Sequence, residues 1–259
     1  MYNQINRQAM KTDTKYVAFS TQKGGAGKTT LTVLTASWLH YTKDYNVAVI
    51  DCDYPQHSII EMRERDLKTA TENDYYKRMA YEQFTRLDKK AYPVIESDTK
   101  EALADAEYLL SQGGRDYIFF DLPGTMNNPD LVHTLARMDY IVAPICADRV
   151  VLESTLNYVV TVRDHIMHSA GSRIRGIYLL WNMVDGREKS ELYEVYEAVI
   201  RDLGLTVLDT FLPDTKRFRR ELSPNRRALF RSTLFPADRS LVRGSNLDKL
   251  VDELTTLFK

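Results

Sequence analysis

The chain has 259 residues, a net charge of −1 and 44% hydrophobic residues, which allows a sizeable core and one α/β domain. Its two cysteines, Cys52 and Cys146, lie in apolar runs, which excludes a disulfide or cysteine-rich metal framework and is typical of a reducing cytoplasm. No apolar run approaches the ~20 residues of a membrane span, and residues 1–15 are too polar for a signal peptide, so we predict a flexible arm there and a single domain over residues 16–259.

The first predicted unit is a strand, a glycine-rich loop and a helix. The apolar run at residues 16–19 predicts the strand, TQKGGAGKTT at residues 21–30 the loop, and the periodic segment at residues 31–39 the helix. Backbone N–H groups of such a loop and the positive end of the helix dipole bind phosphate oxygens. Lys28 adds a mobile charge, and the Thr29 hydroxyl is placed to ligate Mg²⁺. The predicted nucleotide-binding positions in this loop are Gly24, Gly25, Ala26, Gly27, Lys28, Thr29 and Thr30.

The loop departs from the usual phosphate-loop pattern GxxxxGK[ST], because Gln22 stands where the first glycine is expected. It fits the variant KGGxxK[ST], in which a second lysine, Lys23, precedes the glycines, and so resembles the ParA/MinD family of dimeric ATPases. The glutamine makes it more similar to the DNA-partitioning ParA (Soj-like) branch than to the MinD or nitrogenase-iron-protein branches. The resemblance implies that Lys23 reaches the nucleotide of a second subunit, and that Lys28 contacts the β- and γ-phosphates.

Two carboxylates, Asp51 and Asp53, lie at the end of the next apolar run, residues 46–52, which predicts a buried parallel strand. The string DCDYPQ, which begins at Asp51, resembles the switch I segment DxDPQ of the family. By family position Asp53 orients or activates the attacking water, while Asp51 supports Mg²⁺ or the loop. Tyr54 is an extra residue before the proline, and if it shifts the register Asp51 carries the role of Asp53 instead.

Another carboxylate, Asp121, ends a strongly apolar run at residues 117–122. The string FFDLPG resembles the signature hhhDxPG of the family, which combines a Walker B acid with the switch II turn. We expect Asp121 to hold Mg²⁺ through its water shell, and Gly124 to let the backbone approach the γ-phosphate.

Helical and strand patterns alternate along the rest of the chain. They predict one or two helices within residues 58–90, further helices at 98–112 (with Asp98 as the N-cap), 129–137, 151–168, 189–203 and 246–258, and strands at 92–96, 140–144, 174–182 and 206–212. Strands separated by helices need crossover connections. We therefore predict an α/β fold of the phosphate-loop type, with a mostly parallel sheet, helices on both faces and ligands at the carboxyl ends of the strands.

The base of the nucleotide is predicted to lie beside WNMVD, residues 181–185. GTPases use NKxD for guanine, and here Met183 takes the lysine position. Asn182 can bond the amino group and a ring nitrogen of adenine, so adenine is favoured. In the family a proline loop after the following strand encloses the base, and Pro213 and Asp214 are placed for that.

Basic residues concentrate near the C-terminus, where residues 216–243 have a net charge of +7 while the remaining chain has −8. Guanidinium groups interleaved with phenylalanines suit contacts to phosphates. We predict sequence-independent DNA binding, chiefly through Lys216, Arg217, Arg219, Arg220, Arg226 and Arg227. The alternative is a solvated face or an intramolecular partner for acidic helices.

The predicted C-terminal helix raises the alternative of membrane binding, because its apolar stripe resembles the anchors of MinD-type proteins. Its polar face carries Asp248, Asp252 and Glu253 against only two lysines, whereas an anionic bilayer attracts a basic face. Core packing is therefore the favoured interpretation.

Taken together, the resemblance implies a cytoplasmic, nucleoid-associated ATPase that binds MgATP, forms a homodimer, binds DNA and hydrolyses ATP slowly with a ParB-like activating protein. Its cargo would be a plasmid, chromosome or conjugative element. Three alternatives stay open: a MinD-like membrane-positioning ATPase, a synthetase of the same superfamily that activates a carboxylate, and an ATP-binding regulator with negligible hydrolysis.

Overall fold

A sheet of parallel strands forms the centre of the fold, which we describe from a computed structural model for residues 14–126, 128–186, 191–223 and 228–259. Within these residues the sheet has seven strands in the order β3-β2-β4-β1-β5-β6-β7. Their bounds are β1 (Lys15–Phe19), β2 (Val47–Asp51), β3 (Val94–Glu96), β4 (Tyr117–Asp121), β5 (Tyr140–Ile145), β6 (Gly176–Trp181) and β7 (Thr206–Val207). Every described strand pair is parallel, so the predicted fold class is confirmed.

Helices cover both faces of the sheet, as continuous apolar strands require. They are α1 (Lys28–Tyr41), α2 (Ser58–Glu72), α3 (Asp74–Leu87), α4 (Ala102–Ser111), α5 (Pro129–Ala136), α6 (Arg149–Thr161), α7 (Glu191–Asp202), α8 (Arg239–Val242) and α9 (Leu247–Leu257). Alternate residues of β1 divide the core, because Val17 and Phe19 pack with α1 and α9 while Tyr16 and Ala18 pack with α4, α5 and α6. Of the one or two helices predicted within residues 58–90, the structure has two, α2 and α3.

Several predicted boundaries differ from the observed ones. Helix α4 begins at Ala102 because the Asp98 carboxylate accepts the N–H groups of Lys100 and Glu101 and forms a turn there. Strand β1 starts inside the predicted arm, at Lys15, while the prediction for residues 1–13 lies outside the described part of the chain. The single-domain assignment stays a prediction.

The helix predicted at residues 151–168 and the strand predicted at 206–212 are both shorter than expected. The first changes into a π-helical turn at Val162–Met167. The second keeps only Thr206–Val207, because Glu253 of α9 accepts the N–H groups of Asp209 and Thr210 and so interrupts the pairing with β6.

The apolar face of α9 lies in the core, as the charge pattern of this helix predicts. Leu250, Val251 and Leu254 are buried, and the ring of Phe258 stacks on Tyr140 with 4.4 Å between ring centroids. Among the described helices, none combines the length and apolarity needed to cross a lipid bilayer.

A loop at residues 231–235, here called the arginine loop, is held against α2 by one buried carboxylate. Asp66 Oδ2 accepts the Thr233 N–H at 2.7 Å, the Thr233 hydroxyl at 2.9 Å and the Ser232 hydroxyl at 2.9 Å. Burial raises the pKa of Asp66, and these three donors oppose that rise. On the other side, the Ser37 hydroxyl of α1 donates to the Ser232 carbonyl, so the loop is fixed between two helices.

We expect Asp66→Ala to lower the free energy of unfolding by about 2–4 kcal/mol, because three buried donors lose their acceptor. Urea denaturation measures this loss. The matched control is Glu64→Ala, which removes an exposed carboxylate from the same helix and should change stability by less than about 0.5 kcal/mol. Equal effects of the two substitutions would contradict the assignment of Asp66 as the anchor of the arginine loop.

Candidate active site

The glycine-rich loop joins β1 to the N-terminus of α1, as the sequence predicts. Gly25 and Gly27 adopt the left-handed backbone conformations φ +80° and +94°, which favour glycine. Gly27 is the N-cap of α1, and Lys28 and Thr29 begin the helix. A Cβ atom on Gly27 would lie 2.7 Å from Nδ2 of Asn182. The loop therefore presents a helix N-terminus whose first side chains are a cation and a hydroxyl.

Two predicted metal ligands meet at this helix N-terminus. The Thr29 hydroxyl donates to Asp121 Oδ2 at 2.7 Å. The other oxygen, Oδ1, is buried and has no hydrogen-bond partner among the described residues. The pKa of Asp121 is raised to about 7, chiefly by burial and also by Asp51 and Asp53, while the Thr29 hydrogen bond opposes the rise. A hydroxyl beside an unpaired buried carboxylate oxygen is a hard oxygen donor set, so these residues fit Mg²⁺.

The two switch I carboxylates have different surroundings. Asp51 is buried beside Asp121 in the sheet, and its Oδ2 accepts the N–H groups of Ile59 and Ile60 at 2.9 and 3.1 Å, which caps α2. Asp53 is half-buried and lines the cavity in front of the glycine-rich loop. Burial raises the pKa of Asp53, and nearby Lys28 opposes this. The metal role of Asp51 and the water-activating role of Asp53 stay predictions. One oxygen of Asp51 is already used as the acceptor that caps α2.

The turn after β4 lies directly on the glycine-rich loop. A Cβ atom on Gly124 would be 2.9 Å from the carbonyl oxygen of Gln22 and 3.2 Å from that of Thr21. Only glycine permits this approach without a backbone shift. The predicted close approach of Gly124 is therefore to the phosphate loop itself, and its contact with a γ-phosphate stays a prediction.

The predicted base-binding residues line the same cavity, whose volume is about 520 Å³. Asn182, at the end of β6, donates from Nδ2 to the Ala26 carbonyl at 2.8 Å, so part of its amide holds the loop. Pro213 pairs with Val184 as an isolated parallel bridge, and the Asp214 N–H donates to the Val184 carbonyl at 2.9 Å. Asn182, Pro213 and Asp214 all line the cavity together with the loop, and their contact with a base stays a prediction.

The basic stretch is divided between several roles. Arg217 donates from its guanidinium to the carbonyls of Leu241 and Arg243 at 3.2 and 2.6 Å, so it holds the segment around α8. Lys216 and Arg220 are exposed. The DNA roles of these three residues and of Arg219 stay predictions, and those of Arg226 and Arg227 lie outside the described residues.

The sequence alone does not predict that two arginines of the basic stretch at residues 216–243 line the nucleotide cavity. Arg219 and Arg231 both face it, and the Arg231 guanidinium donates to the Thr30 hydroxyl in the first turn of α1. The ring of Phe218, also at the cavity, packs edge-on against Phe230 at 5.1 Å between centroids. Composition gives no signal for this, because the arginine loop is held at the site by contacts with Ser37 of α1 and Asp66 of α2, which are distant in sequence. Lys23, in contrast, is exposed at the start of the loop.

The fold and the loop define a nucleotide-binding protein of the phosphate-loop class. The chain belongs to the CobQ/CobB/MinD/ParA nucleotide-binding domain family, whose model matches residues 17–227. An uncharacterised protein of Borreliella burgdorferi B31, BBD21, is 27% identical over 188 residues, which are 66% of this chain and 75% of that protein.

Solved structures of the family share the fold. A Borrelia burgdorferi B31 protein assigned to plasmid partition, with bound AMPPNP, has a TM-score of 0.63 at 17% identity, covering 94% of this chain and 99% of that one. The cell division ATPase MinD of Pyrococcus furiosus has a TM-score of 0.60, also at 17% identity and with the same coverage. At such identities the likeness shows the fold alone.

Proposed function

We propose that the chain is a ParA-like ATPase that binds MgATP, dimerises, binds DNA without sequence preference and hydrolyses ATP slowly to partition a DNA element. The observation that carries the nucleotide part is the Thr29–Asp121 hydrogen bond at the N-terminus of α1, where Asp121 Oδ1 has no hydrogen-bond partner in the part of the chain that the structure describes. A helix N-terminus with Lys28 recognises phosphates, and a hydroxyl paired with a carboxylate recognises the metal that accompanies them.

The chemistry assigns a role to each group around the cavity. Lys28 and the backbone of the loop would bind the β- and γ-phosphates, and Thr29 and Asp121 would hold Mg²⁺. Bound Mg²⁺ would neutralise charge on these phosphates. Asp53 lines the cavity and has a pKa raised by burial, which supports our assignment of this carboxylate as the group that orients the attacking water. Lys23 is exposed, which leaves it free to reach a nucleotide in a second copy.

Two observations favour DNA over a membrane as the surface that the protein binds. The apolar face of α9, which a MinD-like anchor would need, is buried in the core. Lys216, Arg219 and Arg220 lie on or next to the 3₁₀ helix Lys216–Arg219, and Arg219 also lines the nucleotide cavity. Dimerisation would double this basic surface and so raise the number of phosphate contacts. The ParB-like partner and association with the nucleoid follow from the family resemblance.

The test is fluorescence anisotropy of labelled duplex DNA of unrelated sequence, with ATP, ADP or no nucleotide, at two salt concentrations. We expect binding only with ATP, and an affinity whose logarithm falls with log salt by about 0.9 for each neutralised phosphate. Lys23→Gln should abolish it, and Lys216→Glu with Arg220→Glu should weaken it at least about tenfold.

Lys249→Glu is the matched charge control, because Lys249 is exposed on α9, outside the basic stretch. Arg217→Glu is unsuitable, because it would release the carbonyls of Leu241 and Arg243. No DNA binding in any nucleotide state would refute the DNA part of the proposal. ATP binding without hydrolysis would favour the ATP-binding regulator instead. That alternative stays open because Tyr54, the extra residue next to Asp53, is 73% exposed.

A further inference from the structure

Arg231 is a cation inside the nucleotide cavity whose role the family resemblance does not supply. Its side chain is only 21% exposed. One terminal nitrogen donates to the Thr30 hydroxyl, the other donates to Glu221 Oε1, and Nε is buried without a partner among the described residues. The guanidinium is therefore held in the cavity by one carboxylate and one neutral hydroxyl, with an N–H still unsatisfied.

The position of Thr30 tells which part of a nucleotide would meet this guanidinium. Thr30 follows Thr29, whose hydroxyl bonds Asp121 at the metal end of the cavity. Asn182 and Pro213, the predicted base-binding residues, line the same cavity. With the terminal phosphates assigned to Lys28 and Thr29 and the base to Asn182 and Pro213, the phosphate that remains for Thr30 and Arg231 is the one nearest the ribose. Arginine binds phosphate through paired N–H donors, and burial strengthens such bonds.

Glu221 is the group that competes for Arg231. Its carboxylate is shared by Arg231 and by Arg65 of α2, at 3.4 Å from the latter, and it is 32% exposed. A phosphate that enters the cavity offers Arg231 a second anion, and Glu221 can then remain with Arg65. Removing the charge of Glu221 would leave Arg231 unpaired and ready for the phosphate.

We propose that Arg231 binds the phosphate group next to the ribose of the bound nucleotide, and that Glu221 holds its guanidinium in competition when no nucleotide is bound. This inference rests on the proposed function, which puts a nucleotide in the cavity with its terminal phosphates at Lys28 and Thr29. Asp66 fixes the arginine loop at Ser232 and Thr233, so the guanidinium is positioned before the nucleotide arrives.

The test compares Arg231→Gln with Glu221→Gln, because both substitutions break the same ion pair. Dissociation constants for AMP, ADP and ATP are measured by competition against a fluorescent ADP analogue, with adenosine as the ligand that lacks phosphate. Arg231→Gln should weaken all three nucleotides by a similar factor of about ten or more and leave adenosine unchanged. Glu221→Gln should tighten the three nucleotides.

The opposite signs separate binding from a structural role. If the ion pair only stabilises the site, both substitutions weaken nucleotide binding, and the inference is overturned. It is also overturned if Arg231→Gln leaves nucleotide affinity unchanged in a protein that binds ATP, or weakens ATP alone. Failure of the unmodified protein to bind any adenine nucleotide would instead refute the proposed function and this inference with it.

Discussion

Asp121→Asn is expected to remove the magnesium-dependent gain in ATP affinity and to lower ATP hydrolysis at least about 100-fold, while stabilising the unliganded protein. The asparagine oxygen can still accept the Thr29 hydroxyl, so the local geometry is kept. What is lost is the charge on a carboxylate whose Oδ1 has no partner among the described residues. ATP titrations with and without Mg²⁺, and a phosphate-release assay, measure the functional half of this prediction.

The stability half depends on pH. The pKa of Asp121 is raised from its ordinary value of 3.8 to about 7, chiefly by burial. Because the folded state holds the proton more tightly, the contribution of this group is fully present below about pH 4 and is lost as the pH rises through 7. The loss amounts to about 4 kcal/mol at most.

Urea denaturation of the unliganded protein at pH 5, 6.5 and 8 tests this sign. The Asn variant should gain stability relative to the unmodified protein as the pH rises. Asp130→Asn is the control, since Asp130 is an exposed aspartate on α5. A constant difference between Asp121→Asn and the unmodified protein across this range would show that the buried carboxylate does not carry the predicted cost.

The sequence predicts those parts of the site whose residues are neighbours in the chain. A strand, a glycine-rich loop and a helix follow one another directly, so Gly27, Lys28 and Thr29 are placed by their neighbours in the chain. Asp121 is placed by a different rule, because parallel strands end at the same edge of the sheet. The apolar run before it fixes its position at that edge, and β4 lies next to β1 in the sheet.

The parts that the sequence does not predict depend on contacts between distant segments. Arg231 lies 201 residues from Thr30, and its place in the cavity depends on Asp66, which anchors the arginine loop to α2. Arg217 is also an arginine of the basic stretch at residues 216–243, yet it bonds the carbonyls around α8. A charge count treats the two arginines alike, because it contains no information about which carbonyl or carboxylate each one meets.

The same limit applies to Asp51 and Asp53, and matched alanine substitutions should separate them. Asp53→Ala is expected to lower ATP hydrolysis at least about 100-fold, because a carboxylate that lines the cavity and has a raised pKa is lost. Its stability should hardly change. Asp51→Ala is expected to cost about 2 kcal/mol of unfolding free energy, because Ile59 and Ile60 lose the acceptor that caps α2.

Phosphate release at saturating ATP and urea denaturation of both variants give the answer. If Asp51→Ala abolishes hydrolysis at unchanged stability while Asp53→Ala remains active, the residue inserted at Tyr54 has shifted the register, and Asp51 carries the catalytic role. If the unmodified protein itself hydrolyses no ATP, neither carboxylate activates water, and the chain acts as a nucleotide-binding regulator. The capping bonds of Asp51 argue against the first outcome, because a carboxylate that moves to meet a water would release the first turn of α2.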